Sequence, residues 1–265
     1  MKFDMHCHTR EGSMDGQVVI EDYIRRLKQL GFGGMLVSDH NSYDGYRQWK
    51  NSIRGKRHRD FVVLKGVEYD TIDCGHILVI MPEGVKLRIL EMRGLPVHLL
   101  VKIVHRYGGI LGPAHPCGER YMSFATTRMR QGKPVRIMRE FDFVEIFNSC
   151  EEPEDNEAAR RLAQRYHKPG FGGSDSHKTD NIGMAYTELP DWIRKESDLI
   201  RYVKSKPKIS CGGTYYKRRT KDRIGKWNAL LVQSFYVYNK FGGIVRSRKR
   251  KRELKKLFDI NSTNS

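Results

Sequence analysis

The sequence predicts a (β/α) barrel followed by a basic tail, and three observations carry that expectation. Short apolar runs that read as buried strands alternate with segments of helical period, the order of a parallel α/β architecture. Clusters of His, Asp and Glu fall where those strands give way to loops, which is where a barrel collects its chemistry. The length of 265 residues accommodates one barrel-sized domain and an extension.

The first strand is expected over Lys2–Met5. A helix follows over Ile20–Leu30, with Ile20, Tyr23, Ile24, Leu27 and Leu30 on one face and Gly31 as its stop. Strands are expected next over Gly34–Ser38, Phe61–Glu68 and His76–Ile80. Val97–Tyr107, ahead of Gly108-Gly109, predicts a second helix, and Gly109–Gly112 a fifth strand. Phe141–Phe147 reads as the sixth strand, Glu154–His167 as a helix before Pro169-Gly170, Gly170–Gly173 as the seventh strand and Asp198–Lys206 as a further helix.

The 49 Lys and Arg outnumber the 31 Asp and Glu, a formal charge of +18 that is unevenly spread. Residues 201–265 hold 19 of the cations against three acids, Asp222, Glu253 and Asp259, so a near-neutral body precedes a polycationic tail. Nothing approaches the roughly 18 uninterrupted apolar residues of a spanning helix, which excludes a transmembrane protein. Met1–His6 passes directly into polar residues, so no secretory signal is expected. The five cysteines are scattered without a Cys-x-x-Cys pair, which disfavours a disulfide framework or zinc ribbon and places the chain in a reducing cytoplasm.

The chemistry concentrates at strand ends. In His6-Cys7-His8 the alternation of a strand points both imidazoles the same way and turns Cys7 into the opposite layer, where it packs. Further strand ends carry Ser38-Asp39-His40, Gly66-Val67-Glu68, Gly75-His76, Pro113-Ala114-His115-Pro116 and Gly173-Ser174-Asp175-Ser176-His177. Six of the ten histidines thus stand at one barrel mouth with carboxylates beside them. A single metal takes about four to six ligands, so this donor set points to two or three ions rather than to unrelated buried histidines. Asp39 either orients His40 or caps a loop, and Glu145 and Asn148 end the sixth strand near the mouth.

These motifs, with Met14-Asp15-Gly16, occur in the order found in the polymerase and histidinol phosphatase (PHP) superfamily of metal-dependent phosphoesterases, which the chain resembles over about residues 1–212. The resemblance implies a distorted (β/α)7 barrel over residues 1–212, while charge and apolar spacing make residues 213–265 a basic, helical extension. It also implies a centre of two to three divalent ions, with Zn, Mn and Fe all suited to the ligands. His6, His8, Glu68 and Asp175 would hold one ion. Glu68, His76 and His115 would hold a second, with Glu68 bridging, and Asp15, His40 and His177 the third; many relatives have His where Asp15 stands. Asn181–Thr187 also resembles stand-alone members. The 38 residues between His76 and His115 leave no room for the inserted substrate-binding domain of some nucleotide-cleaving relatives.

The reaction expected from the resemblance is hydrolysis of a phosphate monoester, histidinol phosphate or a nucleotide-type small substrate, by in-line attack of a metal-bridging hydroxide. Its catalytic groups would be His6, His8, Glu68, His115, Asp175 and His177, with Arg10, Arg120 and Arg128 as candidate forks for the substrate phosphate. In the tail, Ile224, Trp227, Leu230, Leu231, Phe235 and Tyr238 form a helical stripe. The run Arg246-Ser247-Arg248-Lys249-Arg250-Lys251-Arg252 then precedes Leu254, Leu257 and Phe258. That pattern suits a docked helix with a solvated basic end, or a binding element for nucleic-acid phosphates or an anionic membrane surface. Three functions follow: a small-molecule phosphoesterase, a 5′-end nuclease that holds nucleic acid on its tail, and a non-catalytic metal-loaded tether. The tether gains nothing from a complete donor set.

Overall fold

The computed structural model describes residues 1–51, 58–118, 123–127, 134–217 and 247–259. β1 (Lys2–Cys7) leads through α1 (Ile20–Gln29) to β2 (Gly34–Val37), and α2 (Asp44–Asn51) leads on to β3 (Val62–Asp70). These three strands run parallel, Phe3 pairing with Gly34 and Gly34 with Val62. α1 packs as its period requires, burying Ile20, Tyr23, Ile24 and Leu27 in a cluster with Met35, Val37 and Cys7.

β4 (His76–Ile80) departs from the all-parallel order. It runs antiparallel to β3, with Asp70 opposite His76, and antiparallel to β5 (Ile110–Pro113), which α3 (Val97–Arg106) precedes. The reason is the connection, since the residues between Asp70 and His76 are too few for a crossover helix. Thr71 closes the hairpin instead: its hydroxyl donates to Gly75 O at 2.6 Å and accepts from Cys74 N–H at 2.9 Å, and Gly75 takes a φ of 72°.

Two short helices, α4 (Phe124–Thr127) and α5 (Pro134–Glu140), precede β6 (Val144–Asn148). α6 (Pro153–Arg165) then returns the chain to β7 (Gly170–Gly173), which pairs parallel with β6. β8 (Ala185–Glu188), α7 (Glu196–Lys204), β9 (Cys211–Gly213) and α8 (Ser247–Asp259) complete the described elements. One curled sheet has the order β5-β4-β3-β2-β1-β8-β9, and β6-β7 forms a second. Backbone hydrogen bonds join the two beyond their strand ends, from Asp142 N–H to Leu111 O on one side and from Asp175 N–H to His6 O on the other. Phe3, Met5, Leu36, Leu64, Leu78, Ile110, Phe143 and Phe171 form one buried cluster drawn from both sheets.

α7 begins two residues before its expected start because Glu83, distant in sequence, supplies the cap. Its Oε2 accepts from the Ser197 N–H at 3.1 Å and from the Ser197 hydroxyl at 2.5 Å. After β9, Tyr215 packs against Phe147, the two rings tilted, and Tyr216 donates its hydroxyl to Ser174 O. The stripe from Ile224 to Tyr238 lies outside the described residues. Among the described residues no helix is long and apolar enough to cross a membrane.

Asp4 anchors β1 to the end of β7, accepting from the Ser174 N–H at 2.9 Å and the Ser174 hydroxyl at 2.6 Å. Burial outweighs these bonds and pushes its carboxyl up to about 6. Because that lies above the unfolded value, the folded state is favoured by protonation. The contribution is complete below about pH 4 and is lost as pH rises through about 6. The stability difference between wild type and Asp4→Asn should therefore shift by roughly 3 kcal/mol between acid and neutral pH. Urea unfolding at several pH values reads this directly, and a pH-independent difference would contradict it.

Candidate metal centre

β1 and the residues after β7 bring the first group together. His6 Nε2 lies 3.4 Å from Glu68 Oε2 and 3.6 Å from Asp175 Oδ1. His8 Nε2 is 3.3 Å and 3.2 Å from the same two oxygens. The other oxygen of Glu68, Oε1, faces His76 Nδ1 at 3.0 Å and His115 Nε2 at 3.1 Å. Glu68 thus divides its carboxylate between two sets of imidazoles. Nearer solvent, Asp15 Oδ2 is 3.2 Å from His177 Nε2 and 3.8 Å from His40 Nε2.

The fold thereby gathers all nine residues of the expected donor set. Arg10 is exposed in the loop after β1, its N–H bonded to Val18 O. Arg120 and Arg128 lie outside the described residues.

Close backbone approach makes the cluster possible. A Cβ on Gly173 would meet His6 Cβ at 2.2 Å and His6 N at 2.7 Å, so only glycine lets β7 lie this close to β1. Two of the donor residues, His115 and Asp175, sit in the left-handed region with φ of 29° and 54°. Such strain at a side chain held over a cluster is typical of functional positions.

The donor atoms fit metal ions. Among the described residues, His6 Nε2, His8 Nε2, His40 Nδ1, His76 Nε2 and His115 Nδ1 are buried without a hydrogen-bond partner. Four groups of donor atoms lie close enough for one ion each: His6, His8 and Glu68; Glu68, His76 and His115; His8, His40 and His177; and His40, Asp70 and His76. The electrostatics point the same way. Burial alone would raise the Glu68 carboxyl, but His76, His40 and His6 hold it well below its ordinary range. Burial likewise opposes charge on His6, yet Glu145, Asp175 and Glu68 raise it well above its usual value. Against the same opposing effect of burial, Glu68 and the acids around it raise His40 to about 10 and His115 to about 9. The pocket is built around buried anions that demand positive charge, from protons or from cations.

Behind the donors stand groups that fix them. Glu145 Oε1 is 2.9 Å from His6 Nδ1, and its Oε2 accepts from the His115 N–H at 2.6 Å and from Asn148 Nδ2 at 3.2 Å. Asn148 Nδ2 also donates to Asp175 Oδ2 at 3.2 Å. His8 Nδ1 rests on the Ser13 hydroxyl at 3.1 Å, which donates to Asp39, and Asp39 also accepts from the Thr9 N–H at 2.6 Å. Asp39 therefore caps the loop and steadies His8 through Ser13, rather than touching His40. Hydrogen-bonding one ring nitrogen in this way frees the other, as a lone pair, for a metal.

Asp70 escaped the sequence reading. It is buried between His40 Nδ1, 3.5 Å away, and His76 Nε2, 3.4 Å away, and among the described residues neither carboxylate oxygen has a hydrogen-bond partner. Asp70 thus lies against both rings and forms with them one of the four donor groups, while His40 Nδ1 also faces Glu68 Oε2 at 3.2 Å. Its signal was available in Glu68-Tyr69-Asp70, where alternation puts Asp70 on the Glu68 face.

A curled α/β sheet with buried imidazoles and shared carboxylates at its strand ends defines a metal-dependent hydrolase. Profile comparison matches the PHP domain to residues 4–169 and a PHP-associated region to residues 153–206. The chain belongs to the PHP family of metal-dependent phosphoesterases.

Solved structures agree on the fold. A Bifidobacterium adolescentis protein, itself assigned as a metal-dependent phosphoesterase by inference, matches with a TM-score of 0.57 at 14% identity, over 77% of this chain and 96% of its own. PsfC from Pseudomonas syringae matches at 0.57 and 17% identity, over 88% and 98%. The lesion-specific endonuclease EndoQ of Pyrococcus furiosus matches at 0.55 and 14% identity, over 79% of this chain and 57% of its own. No curated protein sequence matched.

Proposed function

We propose that the chain hydrolyses phosphate monoesters at a di- or trinuclear metal centre. The observation that carries this reading is the division of Glu68 between two imidazole groups, the arrangement a bridging ligand needs. Divalent ions bound there would acidify a water molecule and neutralise phosphoryl oxygens in an in-line displacement. His6, His8, Glu68 and Asp175 would hold one, Glu68, His76 and His115 a second, and Asp15, His40 and His177 a third. Glu145 and Ser13 orient imidazoles from behind, and Asp70 lies against His40 and His76. His6, His8 and Glu68 are buried whereas Asp15 is exposed, so a phosphate enters past Asp15 and His177. Cys7 is no nucleophile: it packs in the core with Tyr23 and Val37, and burial pushes its thiol well above the usual range.

The test is phosphate release by the purified, Mn-supplemented protein from histidinol phosphate, nucleotides, sugar phosphates and 5′-phosphorylated oligonucleotides, whose terminal phosphates are monoesters too. Metal-dependent release from any of these supports the reading. A fully metal-loaded protein inert towards all of them would favour the tether.

A further inference from the structure

We infer that the exposed face of α8 is a binding surface for the phosphate backbone of a single-stranded nucleic acid, set beside the metal centre. α8 is docked rather than free. Leu254, Leu257 and Phe258 pack against the core cluster that holds Leu100, Val101 and Val104 of α3. Arg250 donates to the carbonyls of Arg93 and Gly94, and Lys102 Nζ lies 5.2 Å from the centre of the Phe258 ring. What remains outward is Lys249, Lys251, Arg252, Lys255 and Lys256. At the far end of the helix, exposed Lys102 and Arg106 flank Phe258 and extend the positive face.

Three acids near this face have partners among the described residues. Glu91 pairs with Arg47 at 2.6 Å, and Asp73 accepts from the Val97 N–H at 2.8 Å. Glu253 pairs with Lys256 at 3.0 Å, and Lys249, Lys251 and Arg252 stand exposed on the same helix. From Lys249 to Lys256 the helix rises about 10 Å, so its outward cations form a continuous row.

The position ties this surface to the chemistry. The loop that receives Arg250 is bonded to the end of β3, since Gly94 N–H donates to Asp70 O at 2.7 Å and Ile72 N–H to Leu95 O at 3.2 Å. That strand end carries Glu68 and Asp70, so a strand lying on α8 has its end within a short span of the metal donors. The docking also decides between anionic partners. A membrane-bound amphipathic helix inserts its apolar face among the lipids, but the apolar residues of α8 are already committed to the core. A polyanion needs only the outward charge.

The assignment of this polyanion as substrate rests on the phosphoesterase reading; the surface itself does not. The test compares full-length, metal-loaded wild type with the triple variant Lys249→Gln, Lys251→Gln, Arg252→Gln. The three residues are exposed, and glutamine keeps the helix. Fluorescence anisotropy with a short 5′-phosphorylated single strand gives affinity against salt, and phosphate release from a small monoester is measured alongside.

The variant should lose at least about tenfold in affinity at moderate salt, and its salt slope should fall by about two to three. Small-monoester hydrolysis should stay unchanged. Unchanged affinity and slope, or loss of binding to phosphatidylserine vesicles alone, would overturn the surface. Oligonucleotide binding that responds to the variant without any phosphate release would uphold the surface and sink the phosphoesterase reading instead.

Discussion

Replacing Glu68 by Ala is expected to remove bound metal and phosphate release together, with at least about a thousand-fold loss of activity. The size follows from the position. Glu68 presents Oε2 to His6 and His8 and Oε1 to His76 and His115, so in the proposed centre one substitution would take a ligand from two ions at once. Metal ions contribute several kcal/mol of transition-state charge stabilisation, and about 1.4 kcal/mol corresponds to each factor of ten. Glu68→Gln is the sharper comparison, because it keeps the volume and one acceptor while removing the charge. If the carboxylate bridges, Gln should fail almost as badly as Ala. Metal content of the purified variants, measured beside far-ultraviolet circular dichroism to show that they fold, reads the result. A folded Glu68→Ala protein with wild-type metal content would refute the bridging role.

Much of this centre was legible because its donors obey strand alternation. His6 and His8, at the end of β1, share a face, Asp175 and His177 repeat that spacing after β7, and single donors at other strand ends announced a convergent site before any fold was known. Asp70 obeys the same rule two residues beyond Glu68 but lacks a recognisable motif. Glu145 was placed at the mouth, but its role was hidden, since its contacts with His6 and His115 join residues far apart in sequence.

The fold was legible where periodicity was strong, as in α1. It was misread where a short connection overrode the pattern, as at the hairpin from β3 to β4. β8 and β9 are short and partly exposed, so no apolar run marked them. The cap on α7 comes from Glu83, which no local pattern reveals.

The carboxylates behind the imidazoles should separate the ions from one another. Glu145 touches His6 and the backbone of His115, and through Asn148 it reaches Asp175. Asp70 faces His40 and His76. Partners of this kind typically change metal affinity or activity by about 10- to 100-fold when removed. Glu145→Ala is expected at the upper end of that range, because it also leaves the buried His115 N–H without its acceptor, at about 1–3 kcal/mol. Its loss should fall on the ion proposed for His6, His8, Glu68 and Asp175.

Asp70→Asn should instead weaken the ions near His40 and His76 and leave the first in place. Stepwise metal titration of the two variants distinguishes these outcomes by which binding step weakens. If the same step weakened in both, the carboxylates would not act through separate rings. If neither variant bound metal more weakly, the two carboxylates would be packing groups and the imidazoles would hold their orientation without them.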